Sequence, residues 1–292
     1  MELLSAHDKD LGGGFIVRRL LPAAVRRAIG PFVFFDHFGP IEAQPEDNHD
    51  VRPHPHIGLA TVTYLFEGAM QHRDSTGVVQ RIEPGAINWM TSGRGVVHSE
   101  RTPDDLRGRV RRSHGLQLWV ALPEADEEVA PSFSHTPETA IPRWAMGGVS
   151  ARVLIGSAWG VSSPVPTRSP TLYIDLQLAR GAQLMLPSAW AEERALYAVD
   201  GACALDGQRV APHTMVVLSA GEEVQLSAEE NMRCVLIGGA PLGPRFMWWN
   251  FVSSRKERIT QAAEAWAVQP NEAFPQVEGE SEFIPLPERR PA

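Results

Sequence analysis

Residues 52–68 read RPHPHIGLATVTYLFEG, with two histidines one residue apart at the head of an apolar, β-branched run. On an extended chain, side chains at i and i+2 leave the same face, so His54 and His56 point together, and the alternation continues through Gly58, Ala60, Val62, Tyr64 and Phe66. That face reads as an interior. An unpartnered polar ring buried in an interior costs roughly 1–3 kcal/mol, and a metal ion would satisfy both imidazoles at once. A second pair follows in MTSGRGVVHSE, where His98 and Glu100 are again spaced i, i+2, and Gly93 and Gly95 allow the backbone to turn sharply just before them. Three imidazoles and one carboxylate, with no thiolate, suit Fe, Mn, Ni, Cu or Zn. Four such ligands on a six-coordinate ion leave two positions for water, O2 or a chelating substrate. Binding needs neutral histidines, so affinity is expected to weaken below the ordinary His pKa of about 6.5.

The other histidines carry no such pattern. His37, His72, His114 and His135 lack a spaced partner and read as capping or surface residues, and His213 stands at a turn. The cluster Arg107, Arg109, Arg111 and Arg112 reads as a solvated loop rather than an anion site. Net charge is −8, from 27 basic against 35 acidic residues, which argues against nucleic-acid binding. Cys203 and Cys234 have no CxxC spacing, and whether they pair is open. No run reaches the roughly 20 apolar residues of a membrane span and no signal-peptide pattern opens the chain, so a cytoplasmic protein is expected.

The elements that must hold these residues are strands. Among 292 residues, 24 prolines and 25 glycines punctuate short β-rich runs such as FVFFDHFG, AINWMTS, GLQLWVAL, LYIDLQL and MRCVLIGG, which predicts an all-β chain. An internal repeat is visible. YLFEG (64–68) and then RIEPGAINWM (81–90) are echoed by LYAVDG (196–201) and RVAPHTMVVL (209–218), so two similar antiparallel β-barrels in tandem are expected. The boundary falls in the Ser/Pro-rich stretch 156–170, giving an N-terminal metal-binding barrel over 1–155 and a C-terminal one over 156–292. The second half carries no HxH pair; in LPSAWAEERALY, where one could sit, there is none, so it should hold no metal. One helix is predicted in SRKERITQAAEAW, with Ser254 and Glu257 as a capping box and Ile259, Ala262, Ala263 and Trp266 as its apolar stripe. The tail beyond Gln269 is expected to run extended until Phe283 and Leu286 find a surface.

FFDHFGP, RPHPHIGLATVTYLFEG, HRDS, PGAINWMTSGRGVVHSE, GLQLWVALP and NFVSSRKERI together resemble the pirin family of the cupin superfamily, from about residue 15 to residue 268. The resemblance implies a bicupin of two jelly-roll barrels with one metal ion in the N-terminal barrel, held by His54, His56, His98 and Glu100, with Fe(II) first among the candidate ions. Members of the family have quercetin 2,3-dioxygenase activity, so the resemblance implies a small aromatic substrate and O2, with Glu100 as the base that accepts the substrate's hydroxyl proton. A vertebrate member is a nuclear cofactor of transcription factors, so a metal- or redox-dependent regulatory protein with a protein partner is the alternative; a non-redox metal enzyme such as an isomerase is a third. Where many pirins carry arginine and glutamate, this chain has Ile57 and Ala60, which predicts a more apolar wall to the site.

Overall fold

The computed structural model describes residues 1–12 and 14–288. By its internal contacts the chain forms two compact units, each assembled from separated stretches. One comprises Met1–Lys9, Arg18–Asp36 and Thr136–Leu242; the other comprises Asp10–Val17, His37–His135 and Gly243–Ala292.

The first unit holds a seven-stranded antiparallel sheet in the order Glu2–Ser5, Thr214–Val217, Glu193–Asp200, Met232–Gly239, Thr171–Leu178, Val149–Ile155, Arg143–Met146. A four-stranded sheet accompanies it, ordered Gln183–Leu186, Val224–Ala228, Cys203–Leu205, Gln208–Val210. Between them lies a core of Leu, Ile, Val and Met side chains, including Leu184, Leu186, Leu196, Val224, Leu226 and Leu236, in which Cys203 and Cys234 are buried and free.

The second unit repeats the plan. Ile87–Thr91, Leu59–Glu67, Arg111–Ala121 and the part of strand Phe32–Ala43 from His37 onward run side by side in the larger sheet, and the smaller sheet is ordered Val51–His56, Val96–Arg101, Met70–Asp74, Val79–Ile82. The repeated motifs seen in the sequence therefore fall on equivalent strands, 59–67 with 193–200 and 87–91 with 214–217. The barrels expected from sequence are open jelly rolls, each with a large and a small sheet rather than one closed cylinder. The strands that carry histidines in one unit are QLML and VQLSA in the other, so inward leucines stand where imidazoles could have been. Among the described residues a single His/Cys/Asp/Glu group could hold a metal, and it lies in the second unit.

Two expectations are corrected. The cut at 155/156 is not where contacts divide the chain, because helix Lys256–Ala267 and the tail join the histidine-bearing unit. Ile259, Ala262, Ala263 and Trp266 pack with Ile57, Val97, Phe251 and Phe274, and the tail adds Leu286 to this cluster and Phe283 against Trp266. The Ser254–Glu257 capping box does not form. Arg255 is the N-cap, and Ser254 instead gives its backbone N–H and hydroxyl to the buried carboxylate of Glu127, which a cap cannot outbid as an acceptor. No described helix is long and apolar enough to cross a membrane.

Candidate metal centre

The small sheet of the second unit brings the sequence pairs together. His98 is the cross-strand neighbour of His54 on one side and of Asp74 on the other, and Glu100 faces His72. Cross-strand partners share a face, so these five side chains project to the same side of the sheet. His54 and His56 end their strand because Gly58, in the left-handed region at φ +68°, turns the chain; a Cβ there would collide with the carbonyl of Val252. That turn inverts the expected alternation. Trp119 meets His56 edge-on at 5.1 Å, and its cross-strand partner is Thr61, so the odd-numbered residues of 59–67 share the histidine face. Ala60 and Val62 look the other way, and Ile57 belongs to the cluster under the helix. The apolar wall expected from Ile57 and Ala60 is therefore not the wall of this site. Its sheet face carries Thr61, Thr63, Asn88 and Gln117 beside Met90 and Trp119, with Thr63 donating to Gln117 at 2.8 Å and Asn88 Oδ1 2.7 Å from His135 Nδ1.

The ligand atoms of His54, His56 and His98 lie within 4.8 Å of one another, and all three residues are buried. Ring centroids stand 4.3 to 5.0 Å apart. His54 Nδ1 is 2.9 Å from the carbonyl of Arg52, and His56 Nδ1 is 3.2 Å from that of Asn250. A carbonyl only accepts, so both rings carry their proton on Nδ1 and expose a bare Nε2. His56 Nε2 lies 3.1 Å from His98 Nε2. Ring nitrogens converging at this range in a buried site fit a shared cation, and the all-nitrogen set fits a borderline divalent ion.

Burial pushes the His54 pKa down to about 4, and burial with the neighbouring rings holds His56 and His98 well below the usual range, so all three are neutral at pH 7 as a ligand must be. Burial pushes Glu100 the other way, up to about 7. Its carboxylate shares the sheet face but is not among the atoms grouped within 4.8 Å.

The histidines without a spaced partner are not surface residues. His37 and His114 are buried with their Nε2 atoms 2.8 Å apart, and His72 is buried between His98 and Asp74. The HRDS run carries the signal for His72 and Asp74 at i, i+2, a weak one because an acid beside a histidine is common on any solvated strand. The arginine cluster does pair outward: Arg107 with Asp50 and Asp104, Arg112 with Glu67, and Arg111 with two loop carbonyls.

Two jelly rolls with one histidine cluster define a bicupin carrying a single candidate metal centre. Residues 14–120 match the family Pirin and residues 173–272 match the Pirin C-terminal cupin domain. A Pirin-like protein of Caulobacter vibrioides is 46% identical over 289 residues, covering 98% of this chain and 99% of that protein. A Pseudomonas aeruginosa protein named "Putative quercetin 2,3-dioxygenase" is 39% identical over 269 residues, covering 91% and 83%. The crystal structure of quercetin 2,3-dioxygenase from Acinetobacter baumannii superposes with a TM-score of 0.90 at 32% identity, covering 99% of this chain and 96% of that one. The chain belongs to the pirin family.

Proposed function

We propose that this pirin is a metal-dependent dioxygenase that opens a flavonol or a similar aromatic enediol with O2. The observation that carries the reading is the convergence of three buried, neutral imidazoles on one point, two with their Nε2 lone pairs set by backbone carbonyls. Relatives named for quercetin 2,3-dioxygenase at 39% and 32% identity supply the reaction class. In this reading His54, His56 and His98 hold one divalent ion, Fe(II) first among the candidates, and Glu100 is its fourth ligand. The bound ion supplies a Lewis-acid site for a substrate oxygen and, when redox-active, electrons for O2. Glu100 takes the proton of the substrate hydroxyl on its carboxylate. Burial raises its pKa to about 7 in the ion-free site and coordination would lower it, so the base would be the carboxylate once it loosens from the ion. Trp119, edge-on to His56, shields the imidazoles, while Thr63 and Gln117 offer hydrogen-bonding groups on the adjoining sheet face.

The test is oxygen uptake with quercetin by protein loaded separately with Fe(II), Mn(II), Ni(II), Cu(II) and Zn(II), with His98→Ala as control. Uptake with a redox-capable ion that vanishes in the variant is expected. Stoichiometric metal without uptake from quercetin or other flavonols would overturn the dioxygenase and favour a metal-dependent binding role.

A further inference from the structure

His54 and His56 have backbone carbonyls to fix their tautomers, but His98 has none: its Nδ1 points at another imidazole, Nδ1 of His72, at 3.4 Å. Which ring donates is decided one step further out. His72 Nε2 lies 2.9 Å from Asp74 Oδ2, and a carboxylate only accepts, so the His72 proton sits on Nε2. His72 Nδ1 is then a bare acceptor to which His98 donates from its own Nδ1, and the 3.1 Å approach of His98 Nε2 to the bare Nε2 of His56 becomes a meeting of two acceptors, which a shared cation would relieve. The relay is anchored at its outer end and at its middle. Asp74 Oδ1 accepts from the backbone N–H of Thr76 at 2.8 Å and from its hydroxyl at 2.6 Å, and Phe133 stacks on the His72 ring at 4.5 Å. His98, His72 and Asp74 are 1%, 3% and 2% exposed, so water does not offer a substitute partner.

We infer that Asp74 and His72 are positioning residues that act through His98, a two-step outer-sphere relay that holds its Nε2 unprotonated and aimed at the metal. The inference rests on the metal-centre reading above. Outer-shell partners of this kind are worth about 10–100-fold in metal affinity.

One substitution reverses the whole relay. In Asp74→Asn the oxygen is retained by the two Thr76 donors, which places the amide nitrogen against His72 Nε2. That nitrogen can only donate, so His72 shifts its proton to Nδ1, donates to His98 Nδ1, and drives the His98 proton onto Nε2, where the ion must bind.

Nitrogen-15 NMR of the metal-free full chain reads the tautomer of each histidine without any activity. Wild type is expected to show His98 protonated at Nδ1 and His72 at Nε2, and Asp74→Asn to show both reversed, with Ni(II) affinity, measured by competition with a chromogenic chelator, about 10–100-fold weaker. The wild-type spectrum alone decides the point if the variant does not fold: His72 protonated at Nδ1, or His98 protonated at Nε2, overturns the relay. Full Ni(II) affinity in His98→Ala overturns the metal assignment and the relay with it. Loss in His98→Ala with unchanged tautomers and affinity in Asp74→Asn overturns the relay alone.

Discussion

Glu127 is the residue whose removal should connect stability to the site most directly. It is 3% exposed and accepts from the Ser253 hydroxyl at 2.8 Å, the Ser254 backbone N–H at 2.7 Å and the Ser254 hydroxyl at 3.1 Å, while Arg245 Nε lies 3.1 Å from its Oε1 with that side chain only 7% exposed. The segment it grips carries Asn250, whose carbonyl fixes His56, and Phe251 and Val252, which bridge and hydrogen-bond to Ile57 beside it. Glu127→Ala leaves a buried guanidinium without its carboxylate and three donors without an acceptor. Breaking a buried pair from one side costs about 3–5 kcal/mol. With an unfolding entropy of about 2.1 cal/mol/K per residue, roughly 0.6 kcal/mol/K for this chain, Tm should fall by about 5–8 °C if the whole chain unfolds together. Because Asn250 is held by the same segment, Ni(II) affinity should fall as well. Adding Arg245→Met removes the orphaned charge and should restore part of the stability but not the affinity, since the serines still lack their acceptor. Calorimetry and chelator competition measure the two quantities. A Glu127→Ala protein that melts within 1 °C of wild type on the scale of those about 5–8 °C, or that loses stability while binding Ni(II) normally, would refute the argued coupling.

The pH dependence of metal binding should follow Glu100 rather than the histidines. With its pKa raised to about 7 by burial, Glu100 is protonated in the metal-free protein below neutrality, so an ion must displace one proton and affinity should fall about tenfold per pH unit between 7 and 5. His54, pushed down to about 4, adds its own proton only at the acid end of the titration. Glu100→Gln should flatten the slope between pH 7 and 5 and abolish quercetin turnover while retaining some ion; an unchanged slope sinks the assignment. In the other unit, Arg194 is 1% exposed and donates to the carbonyls of Leu186, Pro187, Ser219 and Glu222. Arg194→Met strands the buried Leu186 carbonyl at about 1–3 kcal/mol and frees three part-buried ones that water can reach, so thermal melting should show a loss, and a Tm unchanged from wild type would mean those loops stand without it.

The fold and the histidines of the site were legible for one reason: both rest on short-range periodicity. Alternation between turn residues marks strands, the same i, i+2 geometry that builds a strand pairs His54 with His56 and His98 with Glu100, and the echo of 64–68 and 81–90 in 196–201 and 209–218 marks two like units. The helix stripe at 259, 262, 263 and 266 was read by the same logic at a different period.

What periodicity cannot carry is a break in it or a partner far along the chain. Gly58 turns the strand and sends Ala60 to the face opposite His56, so every inference about the wall that counted through that turn was inverted. Glu127 and Ser254 stand 127 residues apart, and their meeting explains why the helix starts without its capping box, while packing on Ile57 and Val97 places it with the histidine unit. His72 read as an isolated surface residue because its role depends on the ring across the next strand, His98, 26 positions away. Sequence determined which residues could bind a metal, since ligand chemistry is a property of side-chain type and local spacing. Only the tertiary structure decided the tautomers of His56 and His98, because a tautomer is set by the acceptor on the far side of the ring, and those acceptors are the carbonyl of Asn250, 194 positions away, and the Asp74–His72 pair on the neighbouring strand; for His54 the acceptor is local, the carbonyl of Arg52 on its own strand.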